Sequence, residues 1–218
     1  MNENEIPYWK INIIKNNPYF PVLLIDNYYS DKEENLIWKE LDFYQSNHQN
    51  TFTRTEKDEK VAKTNNGVLK GIAYRIPISS MFHPDYIKCS NIFNSIQKQK
   101  TKHFKNLIKK AFFNHNVFFN TNCDSTLITY YEDGDNYDTH NDASAFTSIT
   151  WFYKQPKKFN GGDLFFEESN TEIECLHNRM IIFPGYYLHK VSSVKMNEKV
   201  KDFGYGRYSL THFYWNQE

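Results

Sequence analysis

127-LITYYEDGDNYDTHND-142 decides the fold of this chain: a strand, a tight polar turn and a second short strand that ends in His140-Asn141-Asp142. In extended backbone, residues i and i+2 point to the same face. His140 and Asp142 therefore aim an imidazole and a carboxylate at a common point, with Asn141 turned away. Two ligand-type side chains converging in this way make two corners of a metal site. A surface histidine beside a turn aspartate is the plain alternative for so short a motif.

The third corner has to come from another histidine. His48, His83, His103 and His115 precede the motif in loop-like or lysine-rich surroundings, His177 adjoins a turn, and His212 lies inside a terminal strand. His189 is the best placed, in 179-RMIIFPGYYLHKVSSV-194. There a buried-looking strand (Met180 to Phe183), a Pro-Gly turn and a second strand carry it back across a small barrel. Two histidines and one carboxylate on one face form the facial triad of non-haem Fe(II), which leaves coordination positions open.

The order of the remaining parts gives this motif its weight. After His140-x-Asp142 come an apolar strand, 145-AFTSITWFYK-154, the run 161-GGDLFF-166, the strand and turn before His189, and 207-RYS-209 on a last strand. In this order the chain resembles the 2-oxoglutarate/Fe(II)-dependent dioxygenase superfamily, in its prolyl-4-hydroxylase-like branch. Tyr131, Gly134, His140, Asp142, Gly161, Gly162, Leu164, His189 and Arg207 carry the resemblance, which covers roughly residues 124 to 215. It implies a double-stranded β-helix (jelly roll) in which His140, Asp142 and His189 hold Fe(II). It also implies 2-oxoglutarate anchored by Arg207 and Ser209, with Tyr131 beside them, O2 as the oxidant and ascorbate as reductant. An intact Asp142 favours hydroxylation, since related halogenases carry a small residue there.

Arg207 and Ser209 share a strand face, so guanidinium and hydroxyl can meet one carboxylate together. The chain has only four arginines, Arg54, Arg75, Arg179 and Arg207, among many lysines. Two departures from the family pattern stand out. The gap between His189 and Arg207 is wide, because 195-KMNEKVKDFGY-205 reads as an inserted hairpin or loop. Phe152 falls where some relatives place a further polar contact to the cosubstrate, which leaves that role to Tyr131.

With 218 residues the chain is long enough for one sizeable core. The expected class is mainly β with packing helices (α+β). Residues 1–123 supply N-terminal strands and helices packed on the outer face, and residues 124–218 form the double-stranded β-helix core, all within one domain. Net formal charge is zero, so no global field favours nucleic acid or a membrane surface. An aromatic content of 17% argues for burial and against disorder. Cys89, Cys123 and Cys175 share no metal-type spacing and suit free thiols in a reducing, cytoplasmic compartment. No secretory leader or membrane-length apolar run is read, and oligomeric state is not encoded.

Along the chain, residues 1–18 read as a polar surface run and 20-FPVLLIDNYYS-30 as a strand leaving the core. Ser30 and Glu33 make a capping box for a helix from Asp31 to Tyr44, with Leu36, Ile37, Glu40, Leu41 and Tyr44 on its inner stripe. Residues 47–68 are charged and aperiodic, which suits a mobile lid or substrate-contact segment and equally plain disorder, and 69-LKGIAYRIP-77 reads as one strand. A second helix is expected from Asn91 to Asn114. Its lysines read as a solvated face, with a phosphate-contacting patch as the sharper alternative.

Glu132, Asp133, Asp135, Asp138, Glu167 and Glu168 are expected to rim the opening, repelling polyanions and favouring a cationic or neutral substrate. An amino-acid or peptidyl C–H, with proline suggested by family analogy, is the first choice, and nucleic acid is disfavoured. A small-molecule tailoring oxygenase and a non-catalytic cupin-like binding module are the alternatives.

Overall fold

The computed structural model describes residues 9–15, 21–57, 61, 63–83, 85–112, 115–197, 200 and 202–217. Its larger antiparallel sheet has eight strands. In spatial order they are Lys10–Ile14, Val22–Asp26, Met180–Pro184, Phe146–Phe152, Arg207–Trp215, Cys123–Tyr131, Tyr74–Ile76 and Thr53–Arg54. The smaller antiparallel sheet runs Thr171–Ile173, Leu164–Phe166, His189–Val191, Asn136–His140 and Gly71–Ile72. Residues from both sheets line one central cavity. A two-stranded ribbon pairs Lys195–Met196 with Phe159–Asn160.

Strand alternation sorts the larger sheet into two faces. Along Arg207–Trp215, Arg207, Ser209, Thr211 and Phe213 face the cavity, while Tyr208, Leu210 and Tyr214 enter the core beneath the helices. Cys123–Tyr131 divides in the same way, with Leu127, Thr129 and Tyr131 inward and Ile128 and Tyr130 outward. The helical layer adds Ile37, Leu41, Tyr44, Ile92, Ile96, Phe104 and Ile108 to the outer core. Burying each such side chain contributes roughly 1.5–3 kcal/mol. The cavity side is therefore the face that burial leaves available for polar groups.

The first long helix spans Asp31–Ser46, and its Ser30/Glu33 capping box forms as expected. Glu40, on the inner stripe, is buried and not merely tolerated. Its carboxylate accepts from Tyr44 Oη (2.7 Å), Ser90 Oγ (2.7 Å) and the Ile92 N–H (2.9 Å), tying this helix to the start of the next.

The expected helix from Asn91 to Asn114 is instead three pieces: Asn91–Ile96, a 3-10 turn Gln97–Lys100, and Lys102–Ala111. Thr101 breaks it by taking extended dihedrals and accepting the Phe104 N–H, as a helix N-cap does. Lys98 is not on a solvated face: it is buried, donating to the Tyr28 carbonyl (2.9 Å) and Glu33 (2.7 Å).

The single strand expected over 69–77 divides at Ala73. Gly71–Ile72 joins the smaller sheet and Tyr74–Ile76 the larger, while Ala73 exchanges hydrogen bonds with Thr55. In the segment read as a lid, His48–Thr51 is a helical turn and Thr53–Arg54 an edge strand. Thr55 and Val61 line the cavity, and residues 58–60 and 62 lie outside the described set. Of the N-terminal run, Lys10–Ile14 is an edge strand paired with Val22–Asp26; residues 1–8 and 16–18 are likewise outside the description.

The insertion before Arg207 is tethered. The Phe203 ring packs 4.5 Å from Tyr130, whose hydroxyl accepts from the Gly204 and Gly206 N–H groups (2.7 and 3.0 Å). That anchoring delivers Arg207 into the cavity despite the long gap. Among the described residues no helix is long and apolar enough to cross a membrane.

Candidate metal centre and cosubstrate pocket

His140 closes its strand, and Asp142 follows in irregular backbone whose N–H donates to the Gly185 carbonyl at 2.8 Å. The Pro184-Gly185 turn needs glycine for this approach, because a Cβ at 185 would meet the Ser144 carbonyl oxygen at 2.2 Å. His189 opens the neighbouring strand and pairs in register with His140. One ligand atom from each of His140, Asp142 and His189 falls within 4.8 Å of the others. Each imidazole Nε2 lies 3.7 Å from an oxygen of Asp142.

The proton positions on these rings follow from their partners. His140 Nδ1 lies 2.8 Å from the Asp138 carbonyl and His189 Nδ1 lies 2.8 Å from the Tyr187 carbonyl. A carbonyl only accepts, so both Nδ1 atoms carry the proton and both Nε2 lone pairs face the cavity. This is the arrangement that metal-binding histidines use. Burial pushes both imidazoles down to about 4, which keeps them neutral at pH 7. Burial also raises the Asp142 carboxyl, against the Thr147 hydrogen bond and the charges of His140 and Arg75. Thr147 Oγ1 donates to Asp142 at 2.6 Å and, its proton thus used, accepts from Ser144 (2.9 Å).

Farther inside, Arg207 is 1% exposed and donates from Nη1 to Ser209 Oγ at 2.7 Å. Its Nε and Nη2 are buried and have no hydrogen-bond partner among the described residues. The guanidinium carbon lies 4.8 Å over the Tyr131 ring and 5.7 Å over Trp151. Gly162, at φ +72°, makes room for it: a Cβ there would meet Arg207 Cδ at 2.6 Å. A buried cation with two unused donors is costly unless an anion completes it. The far carboxylate of a dicarboxylate supplies such an anion, so the residues present fit 2-oxoglutarate as well as a divalent metal.

All six site residues singled out in the sequence line this one cavity. Two expectations, on Phe152 and on the acidic rim, need correction, while His177 is set apart as expected. Phe152 points into the outer core, because alternation turns it away from the cavity and presents Ile149 inward; it stands in no cosubstrate position. His177 is remote from the cluster, paired with Glu34 at 2.7 Å and stacked on Trp38. The acidic rim also fails as a charged ring. Asp135 is buried in a bidentate pair with Arg54 (2.7 and 2.8 Å) and Glu167 pairs with Lys190, and none of the six acids lines the cavity.

Residues that sequence reasoning missed are Thr147, Tyr137 and Arg75. Tyr137 stacks on His140 and Arg75 lines the cavity. Thr147 finds Asp142 through a turn, which leaves no periodic signal.

Two antiparallel sheets enclosing a His-Asp-His cluster and a buried arginine give the chain a jelly-roll (double-stranded β-helix) fold with a candidate metal site inside it. Residues 126–215 match the family model of the 2OG-Fe(II) oxygenase superfamily. The family implies Fe(II), 2-oxoglutarate and O2. A PKHD-type hydroxylase of Parvibaculum lavamentivorans is 29% identical over 87 residues, a match covering 34% of this chain and 38% of that relative. The chain thus spans well under half the length of that curated relative.

Among solved structures, a Pseudomonas putida prolyl-4-hydroxylase is similar in fold, with a TM-score of 0.53 and 13% identity over 90% of this chain and 93% of that one. A Burkholderia pseudomallei oxidoreductase of the 2OG-Fe(II) oxygenase family gives a TM-score of 0.55 and 12% identity over 90% and 86%. These solved structures share the jelly-roll fold expected from the sequence, and the matching family model is that of the superfamily the sequence resembles.

Proposed function

We propose that this chain is an Fe(II)- and 2-oxoglutarate-dependent hydroxylase acting on an unactivated C–H of an amino-acid or peptidyl substrate. The observation that carries this reading is one cavity holding both His140, Asp142 and His189 and a buried Arg207 with two donors that have no partner among the described residues. Residues 124–218 are the catalytic core, and residues 1–123 support it within the same domain.

His140, Asp142 and His189 would hold Fe(II), and Arg207 with Ser209 would hold the far carboxylate of 2-oxoglutarate, Tyr131 flanking the guanidinium. When bound, this group supplies with O2 the oxidising equivalents that no protein side chain has. The chain's own part is placement. The Asp138 and Tyr187 carbonyls fix the imidazole tautomers, and Thr147 fixes the carboxylate rotamer. Leu164, Val191 and Ile149 give the cavity apolar walls that exclude water around the polar cluster.

The test is release of succinate from 2-oxoglutarate by purified protein with Fe(II) and O2, without added substrate. Slow, Fe(II)-dependent succinate formation, lost in His140→Ala, is expected. Binding of metal and 2-oxoglutarate with no succinate under any condition would favour a cupin-like binding module instead.

A further inference from the structure

Between Asp85 and Asp124 the sequence holds seven lysines and neither Asp nor Glu. The whole chain is balanced, with 26 basic and 26 acidic residues, so its positive charge is concentrated in this segment. The helix Lys102–Ala111 sorts the segment by its period. Phe104, Ile108 and Ala111 are buried, while Lys102, Lys105 and Lys109, at i, i+3 and i+7, share a second face. With Lys100, Asn106 and Phe119 these three line a groove of about 420 Å³. Lys109 Nζ lies 5.8 Å over the Phe119 ring, which gives the groove one apolar wall. Phe104 and Ile108 pack with Tyr214 in the outer core, whereas the cavity opens on the other face of the larger sheet. A molecule held in the groove therefore leaves the metal cluster uncovered.

One carboxylate already reaches the groove: Asp124, 2.5 Å from Lys100 Nζ. Lys102, Lys105 and Lys109 have no acidic partner among the described residues. Like charges one helical turn apart repel, a cost that an anion laid along them offsets. The type of anion follows from the donors. Planar arginine is the residue suited to phosphate, and none of the four arginines lines the groove. A net charge of zero gives no long-range field to gather nucleic acid. A bilayer surface is flat, and this site is concave. Asn106 can both donate to and accept from a peptide backbone. From Lys102 to Lys109 the helix rises about 10 Å, the length of roughly three extended residues.

We infer that the groove between Lys102–Ala111 and Phe119 docks an acidic segment of a protein partner, a short run of Asp or Glu whose carboxylates pair with Lys102, Lys105 and Lys109. Its lysines are thus a binding face and neither a merely solvated one nor a phosphate patch. The inference does not depend on the Fe(II)/2-oxoglutarate reading, because groove and cavity lie on opposite faces of the larger sheet.

The test titrates the full chain into a fluorescein-labelled oligo-glutamate peptide and follows fluorescence anisotropy. An oligo-glutamine peptide, a single-stranded oligonucleotide and phosphatidylserine vesicles are the comparison ligands. The glutamate peptide is expected to bind best, and to weaken between about 0.01 M and 0.15 M salt as screening shortens the reach of the lysines. Combining Lys102→Gln, Lys105→Gln and Lys109→Gln should weaken it about tenfold. Combining Lys32→Gln, Lys39→Gln and Lys195→Gln removes the same charge from exposed positions elsewhere and should stay within about twofold of wild type. Carbodiimide coupling, which condenses a carboxylate with an amine into an amide, should join the peptide to Lys102, Lys105 or Lys109 in wild type, a readout that needs no variant to fold. The inference is overturned if the glutamine peptide binds as tightly, if both triple variants lose binding equally, or if the amide forms mainly at other lysines. Tighter binding of the oligonucleotide or the vesicles overturns it as well.

Discussion

Tyr137 lies flat against His140, with ring centroids 3.7 Å apart and planes 17° from parallel. Strict alternation would put these residues, three apart, on opposite faces. The pairing shows why they meet: His189 opposes His140 and Val191 opposes Tyr137, so three steps on one strand face two on the other. The extra residue is a β-bulge, and it turns Tyr137 to the side of the ligand. Gly71, cross-strand from Tyr137, leaves the ring its space, since a Cβ there would meet it at 2.6 Å.

Tyr137→Ala is accordingly expected to weaken metal binding about tenfold by freeing the His140 ring, within the range typical of supporting residues around a metal. Tyr137→Phe keeps the stack and should stay near wild type. Calorimetric titration with Mn(II) distinguishes the two; equal affinity in Tyr137→Ala would show that the stack does not position the ligand.

Removing the Arg207 guanidinium should act on the cosubstrate alone. A charge-assisted hydrogen bond contributes roughly 1.5–3 kcal/mol, or one to two decades in affinity. Arg207→Ala should raise the Kd for 2-oxoglutarate at least tenfold with metal affinity nearly unchanged. Arg207→Lys recovers part of the loss, and Ser209→Ala costs less than either. An unchanged Kd in Arg207→Ala would mean that another cation, Arg75 first, anchors the cosubstrate.

Gly162→Ala tests the same pocket from the opposite wall. The added methyl meets Arg207 Cδ, and φ at +72° strains any L side chain. Weaker 2-oxoglutarate binding is expected, with Mn(II) binding preserved, both read by calorimetry. A variant that binds both ligands as wild type does would show that Arg207 has room to shift.

Acid should destabilise the metal-free protein through its buried histidines. His140, His189 and His212 are each pushed down to about 4 by burial. Below the ordinary histidine value of 6.5 the unfolded chain binds more protons than the folded one, so stability falls with pH from about 6.5 towards 4. The raised Asp142 carboxyl has the opposite sign and offsets part of the loss at the lower end. Chemical denaturation across pH 4 to 7.5 should show this decline and its reduction in His212→Asn. A flat profile would mean that these rings are solvated.

Much of the site was legible because its spacing rule is local. His140 and Asp142 are two apart in extended chain, Arg207 and Ser209 two apart in a strand, and the Pro-Gly turn before His189 leaves a sequence signature. The missed contacts depend on departures from regularity. A bulge brings in Tyr137, a turn brings Thr147 to Asp142, and a strand that switches sheets at Ala73 turns Arg75 inward. The helix expected across Asn91 to Asn114 failed on one residue, since Thr101 is as good an N-cap as it is a poor helix interior. Asp135 was counted as a free rim charge because its partner, Arg54, lies 81 positions away in sequence.

The central claim is that His140, Asp142 and His189 together form one metal site. Anaerobic Fe(II) titration of wild type, His140→Ala, Asp142→Ala, His189→Ala and His177→Ala, followed by addition of 2-oxoglutarate, tests it most directly. One Fe(II) per chain is expected in wild type and in His177→Ala, with a visible charge-transfer band appearing on 2-oxoglutarate addition. That band should be absent from the other three variants, each retaining its secondary structure by circular dichroism. Binding that survives His189→Ala and fails in His177→Ala would contradict the claim.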